Sequence, residues 1–372
     1  MDDSDKNWRA WLALRLVRGV GPVVYQGLLR AFGEPAGVFR ASGHALARAG
    51  VRPEVARALR AFDDWRLAEA QLDRLRRAGG HLVTCLDPTY PRRLRHIHDP
   101  PPLLFVRGDL RPEDELAVAV IGSRAASPYG LRMARELAEG LARCGVTVVS
   151  GLARGTDAAA HAAALRAGGR TIAVLGSGID VVYPSEHRAL ATAIAGRGAV
   201  LSELPMGTPP DAENFPSRNR IISGSALGTV VVEAAERSGS LITASLALEQ
   251  GRDVFAVPGP VGERTRGTHR LLRDGAKVTQ CAEDILEEVA PQRLRRAAAG
   301  APPALDATEH RLVGYLGRDP VHVDDLIARS GCAPAVVLQG LLGLELKGVV
   351  QQLPGKLFVA LAVDVGRVPA KE

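Results

Sequence analysis

Between Leu116 and Ala244 the chain repeats one device: a short apolar run stops at a glycine-rich loop, and the loop opens an amphipathic helix. Leu116 to Ile121 stops at Gly122-Ser123-Arg124, with a helical pattern from Pro128 to Arg143. Val146 to Ser150 stops at the loop from Gly151 through Arg154 to Asp157, and Thr171 to Leu175 stops at Gly176-Ser177-Gly178. Apolar runs alternating with helical patterns predict βαβ units around a parallel sheet, since crossover helices bury each strand on both faces. Such sheets bind ligands beyond the carboxyl ends of their strands. Glycine lets backbone N–H groups approach an anion there, and each helix N-terminus adds partial positive charge. The repeated device therefore predicts a phosphate-handling edge.

At 372 residues the chain has room for more than one domain. Residues 1–78 read as short helices around Gly19-Val20-Gly21-Pro22, a turn compatible with a helix-hairpin-helix or SAM-like domain or with a plain helical bundle. Residues 79–289 carry the sheet pattern, opened by strand-like segments at His81 to Leu86 and Leu103 to Val106 within a proline-rich connector expected to pack on the sheet. Residues 290–305 are rich in Ala, Pro and Arg and read as a linker. Residues 306–365 predict three helices and a hairpin, a winged-helix arrangement. Its long helix near Ala335 to Lys347 is almost wholly apolar and offers little to base edges, so protein contact is as good a reading as DNA contact.

The overall charge of +6 is unevenly spread. Residues 1–80 hold 14 Lys or Arg against 9 Asp or Glu, whereas residues 81–288 hold 23 against 24. A polyanion bound by that neutral middle must be held by a local cluster rather than a broad basic field. Cys85, Cys144, Cys281 and Cys332 are isolated and lack metal-ligand spacing, which suits a reducing cytoplasm. The acidic start lacks a secretory pattern, and no apolar run has the length of a membrane span.

One segment goes beyond generic phosphate binding: Phe215-Pro216-Ser217-Arg218-Asn219-Arg220-Ile221-Ile222-Ser223-Gly224, followed by Val232-Glu233-Ala234 and Ser238-Gly239-Ser240. With Gly122-Ser123-Arg124, Gly176-Ser177-Gly178, Tyr183-Pro184, Ser202-Glu203 and Val257-Pro258-Gly259, it resembles the DNA-processing protein A family (DprA, also called Smf) over about residues 80 to 282. The resemblance implies an extended Rossmann-like α/β core that binds single-stranded DNA, a homodimer through that core, and a cytoplasmic setting. It also implies loading of a RecA-type recombinase in natural transformation and homologous recombination, with displacement of single-strand-binding protein. No catalytic residue, metal or cofactor is implied.

The expected DNA-binding set is Gly122, Ser123, Arg124, Gly151, Arg154, Gly176, Ser177, Gly178, Phe215, Arg218, Asn219, Arg220, Ser238, Gly239 and Ser240. Arg124 follows a Gly-Ser turn where guanidinium and backbone N–H groups can grip one phosphate together. Arg218 and Arg220 supply further donors, and the Asn219 amide can orient a base. Phe215 can stack on a base or plug the core. Arg218 has an alternative reading, a structural bridge to Asp211 or Glu213.

A competing class is enzymatic. Gly228-Thr229 leading to Glu233 is similar to the pattern of nucleotide-processing Rossmann relatives that cleave the base–ribose bond, although the Pro-Gly-Gly that usually precedes it is absent. Asp157 and His161 stand one helical turn apart like a catalytic pair, yet no nucleophile accompanies them. A NAD-dependent oxidoreductase fits worse, because Gly122-Ser123-Arg124 puts a side chain where the pyrophosphate needs bare backbone.

Overall fold

The computed structural model describes residues 3–298, 305–317, 320–347 and 349–360. Parts of the expected linker (299–304) and the end of the winged-helix segment (361–365) lie outside the described residues. The chain divides into two compact units, one up to Pro291 and one from Gln292.

The first unit opens with α1 (Asp3–Leu16), α2 (Pro22–Phe32), α3 (Pro35–Arg40), α4 (Gly43–Arg48), α5 (Pro53–Arg60) and α6 (Trp65–Arg77). A proline opens α2, α3 and α5, where its missing N–H costs nothing. Trp11, Tyr25, Leu46 and Leu75 of these helices are buried in one continuous core with strand residues such as Leu104, Phe105 and Val174.

Nine strands follow, in the spatial order β1-β2-β6-β5-β4-β3-β7-β8-β9. They are β1 (Gly80–Thr84), β2 (Leu103–Gly108), β3 (Ala117–Ile121), β4 (Thr147–Ser150), β5 (Thr171–Val174), β6 (Ala199–Ser202), β7 (Gly228–Val231), β8 (Asp253–Ala256) and β9 (Lys277–Val278). From β6 across to β9 every pairing is parallel. All residues of β3, β4, β5, β6 and β7 are buried, as a sheet covered on both faces demands. The connector does more than pack on this sheet: β1 and β2 extend it, with β2 antiparallel to β6.

Between the strands run α7 (Arg92–Arg95), α8 (Pro128–Arg143), α9 (Thr156–Arg166), α10 (Arg188–Arg197), α11 (Asn214–Gly224), α12 (Gly239–Glu249), α13 (Arg266–Arg273) and α14 (Ala282–Val289). Helix α8 has the bounds that its sequence pattern predicts; Ser127 caps it and Pro128 occupies its first turn. From β3 the chain builds outward through β4, β5 and β6, then returns to the other side of β3 with β7. The loops after β3 and β7 therefore diverge and leave a crevice at the switch point between them.

The second unit begins within α15 (Pro291–Ala298) and holds α16 (Ala307–Gly314), β10 (Val321–His322), α17 (Val323–Ser330), α18 (Pro334–Leu346), β11 (Val350–Leu353) and β12 (Leu357–Ala360). Its strands form an antiparallel sheet in the order β10-β12-β11. Leu312, Leu326, Val337, Leu341 and Phe358 make its core, and the architecture is a winged helix. Asp306 and Glu309 form a reciprocal capping box that starts α16. Among the described residues no single helix is long and apolar enough to cross a membrane.

Candidate nucleic-acid interface

The crevice at the β3–β7 switch point is a cavity of about 650 Å³. One wall is the loop after β3, with Gly122, Ser123 and Arg124; the opposite wall is the loop after β7 running into α12, with Arg237, Ser238, Gly239 and Ser240. The first turns of α11 supply Phe215, Arg218 and Asn219. Thus nine of the residues expected from sequence converge on one cavity.

Arg124 is exposed, and its guanidinium carbon lies 5.0 Å from the centroid of the Phe215 ring. Arg218 approaches the same ring at 5.7 Å. Phe215 is half-buried and in tilted contact with Tyr183, so it is neither a sealed core plug nor a free ring. A Cβ at Gly176 would sit 2.8 Å from the Phe215 ring, so glycine there gives the ring its seat.

Arg218 is 6% exposed, and its Nη1 donates to the carbonyl oxygens of Gly151 and Val174 at the ends of β4 and β5. Its Nε donates to Oδ1 of Asn219 at 3.2 Å, which orients that amide. The bridge to Asp211 or Glu213 does not form; strand-end carbonyls take the place of those carboxylates. Burial pulls the Arg218 pKa down to about 10, with Asp157 opposing and Arg124 adding to the shift, so the group stays cationic at neutral pH.

Ser123 holds the two inner loops together: its carbonyl accepts from the Thr156 N–H and hydroxyl, each at 3.2 Å. Gly155, at φ +75°, passes so close that a Cβ would lie 2.4 Å from that carbonyl. Leu152, buried, also adopts a left-handed backbone at φ 58°. On the far wall, the Ser238 hydroxyl caps α12 by accepting from the Ser240 N–H at 3.3 Å.

Six expected residues are placed elsewhere. Arg220 turns to the other side of α11, where Nη1 and Nη2 donate to the two carboxylate oxygens of Glu203 at 2.8 and 2.9 Å. Its Nε donates to Asp99 Oδ2 at 2.8 Å, so Arg220 ties the connector to the sheet rather than gripping phosphate. Burial would lower its pKa, but Glu203 and Asp99 outweigh that and raise it. Arg154 is paired on the surface with Glu186 at 2.6 Å. Gly151 makes room for Arg218, whose Nη atoms lie 2.7 Å from where its Cβ would be. Gly176 serves Phe215 as described. The Ser177 hydroxyl donates to Val181 O, and the Gly178 N–H donates to Thr208 O at 2.9 Å, folding that loop inward. The loop is also clamped from outside: Arg74 of α6 donates to Asp180 at 2.7 Å, and Asp180 accepts from the Gly207 N–H.

The groups that suggested enzymology have structural partners. Both carboxylate oxygens of Glu233 are engaged by Ser127, from its N–H at 2.8 Å and its hydroxyl at 2.6 Å, so Glu233 holds the start of α8. Asp157 accepts from the N–H groups of Gly151 and Ala153, stapling the loop before its own helix. His161 is buried beneath it, with Nδ1 2.6 Å from the Thr171 hydroxyl. That hydroxyl spends its proton on Val148 O, so Nδ1 must carry the histidine proton. Among the described residues Nε2 has no partner, and burial drives the pKa down to about 3. No group of three or more His, Cys, Asp or Glu among the described residues is placed to hold a metal.

Arg237 was missed by sequence reading, yet it is exposed and lines the cavity. The signal available was its position: a cation directly before the Ser that caps α12, in the loop leaving a central strand.

Fold and site together define an extended Rossmann-like protein with a cationic, aromatic-lined crevice at its switch point, joined to a winged helix. The sequence model for DNA recombination-mediator protein A matches residues 81–290, and that for the DprA winged-helix domain matches residues 296–356. Protein Smf of Escherichia coli K12 is 43% identical over 298 residues, 77% of this chain and 79% of its own. The chain therefore belongs to the DNA recombination-mediator protein A (DprA/Smf) family, a family of recombination mediators rather than of enzymes. The crystal structure of DNA processing protein A from Streptococcus pneumoniae superposes with a TM-score of 0.67 at 36% identity, covering 76% of this chain and 97% of that one. DNA processing protein A from Helicobacter pylori, whose structure concerns its single-stranded-DNA binding mode, gives a TM-score of 0.52 at 29% identity, covering 57% and 97%.

Proposed function

We propose that the chain binds single-stranded DNA in the crevice between the β3 and β7 loops and delivers a RecA-type recombinase to the bound strand. The observation that carries this reading is the Phe215 ring with the Arg124 guanidinium 5.0 Å from its centroid, inside a cavity of about 650 Å³. A base can stack on the ring while Arg124, Arg237 and the amides at the start of α12 take the flanking phosphates. A base stacked on Phe215 must be unpaired, which favours single strands over duplex. The Helicobacter pylori relative, described as a single-stranded-DNA binder, supports the same reading by similarity.

The DNA-binding set we assign is Gly122, Ser123, Arg124, Phe215, Arg218, Asn219, Ser238, Gly239 and Ser240, with Arg237 added. Arg218 acts by fixing Asn219 and Phe215 as much as by its own charge. Glu233 is committed to α8, so the structure offers no support to base–ribose cleavage.

We further infer a homodimer through the core, which the exposed apolar side chains Leu248 on α12 and Val278 on edge strand β9 support. Two few-phosphate sites on one strand gain avidity, because the second contact becomes intramolecular at an effective concentration of about millimolar. That gain is what displacing single-strand-binding protein and loading a recombinase during natural transformation in the cytoplasm requires. The test is a mobility-shift titration with single-stranded and duplex DNA of one sequence, followed by recombinase filament assembly on protein-coated single strands. Tighter binding to the single strand and faster assembly are expected; preference for duplex would overturn the reading.

A further inference from the structure

We propose that Tyr183 is a second base platform beside Phe215, so that the site takes two consecutive unpaired bases, one stacked on each ring. This deepens the single-stranded-DNA reading above and rests on it. Aromatic residues make up only 4% of the chain, and among the described residues Tyr183, at 42% exposure, is the one aromatic exposed to solvent. Its ring centroid lies 6.2 Å from that of Phe215, with the planes tilted by 44°. An exposed ring in contact with a half-buried one extends the aromatic surface that bases can cover.

The second base cannot lie between the rings. Carbon atoms in contact are about 3.5 to 4.0 Å apart, so a base inserted between two rings needs roughly 7 to 8 Å between their centres. At 6.2 Å the rings already touch each other. Tyr183 does not line the Phe215 cavity, so its free surface lies outside it. A strand with one base on Phe215 therefore meets Tyr183 as it leaves the cavity, and the tilt parts the second base from the first.

The loop after β5 braces Tyr183 from both sides. Before it, the Ser177 hydroxyl donates to Val181 O at 2.6 Å, and the Val181 N–H donates to Gly178 O at 2.8 Å. Arg74 and the Gly207 N–H fix Asp180 in the same stretch. After it, His187 Nδ1 donates to Leu152 O at 2.8 Å, and Glu186 pairs with Arg154 at 2.6 Å. The glycine-serine loop that binds no phosphate itself thus presents the ring in one place, which lowers the ordering cost of binding. Glu186 offsets the charge of Arg154, so this platform holds a base by its face rather than a phosphate by its charge.

The test uses the full chain and an oligothymidylate of about thirty nucleotides, titrated by fluorescence anisotropy across a salt series. Tyr183→Ala should bind about tenfold more weakly, within the range that a lost base stack costs. Its log–log salt slope should match wild type, because no phosphate contact is lost, and Tyr183→Phe should keep wild-type affinity. In a Phe215→Leu background Tyr183→Ala should still weaken binding, since each ring holds its own base. Tyr183→Trp should report the contact directly, through fluorescence quenching on DNA beyond that of wild type, whose three tryptophans, Trp8, Trp11 and Trp65, all stand in the N-terminal helices. Wild-type affinity in Tyr183→Ala, with Phe215→Leu binding weakly, would overturn the second platform and leave the crevice intact. No further loss in the Phe215→Leu background would overturn it as well, reducing Tyr183 to a support for the Phe215 ring. Wild-type protein that binds no single strand would remove the underlying reading and this one together.

Discussion

Arg124 lies over Phe215, guanidinium carbon 5.0 Å from ring centroid, and Gly176 closes against the same ring so tightly that a Cβ there would lie 2.8 Å from it. The ring's position is thus set by a residue on the β5 loop that does not itself line the cavity. Gly176→Ala should push Phe215 out of place and weaken single-stranded-DNA binding by about as much as Phe215→Leu, on the order of 1 to 3 kcal/mol for a lost stack. Anisotropy titration of both variants checks this; wild-type affinity in Gly176→Ala would separate the two residues.

Arg220 should behave oppositely to the cavity residues. Removing it strands Glu203, buried, beside Asp99, and breaking a buried pair in this way costs about 3 to 5 kcal/mol of stability. Arg220→Ala should therefore melt at markedly lower temperature, while the fraction that remains folded binds DNA normally. Thermal melting alongside titration of active protein measures both quantities.

The contrast between Arg218 and Arg220 shows where sequence reading stops. Both stand in the segment that carries the family resemblance, yet two helix positions turn the chain by about 200°, so one faces the crevice and the other the connector. That division was available from helical periodicity. Ser177 and Gly178 were not separable in the same way. They read like the phosphate-binding loop after β3, and only the long-range clamp of Arg74, Asp180 and Gly207 folds them inward. The parallel sheet and α8 were legible because their signals are local, whereas β1 and β2 join the sheet through β6, almost a hundred residues further on.

Glu233 caps the start of α8 through Ser127, so its loss is a stability effect. Glu233→Ala should cost about 1 to 3 kcal/mol, because the half-buried Ser127 N–H and hydroxyl lose their buried acceptor. Neither it nor wild type should release base from nucleotides. Release by wild type that disappears in Glu233→Ala would contradict this.

His161 should make the core sensitive to acid. Its folded pKa of about 3 lies below the ordinary 6.5, so the unfolded chain takes up a proton that the folded chain refuses. The stability it contributes is complete above about pH 6.5 and falls towards pH 3 by up to ~1.4 kcal/mol per pH unit. Asp157, whose pKa burial raises, works in the opposite direction and offsets part of the loss. Denaturant unfolding at stepped pH should show the decline, and His161→Gln should flatten it.

Arg124, exposed at the crevice, should contact DNA while contributing little to the fold. Titrating Arg124→Ala with a single-stranded oligonucleotide and melting the same sample separates the two roles. The expected result is a binding loss of about 1.5 to 3 kcal/mol, roughly 10- to 150-fold, with an unchanged melting temperature. Wild-type affinity, or a loss that only tracks a fall in melting temperature, would contradict it.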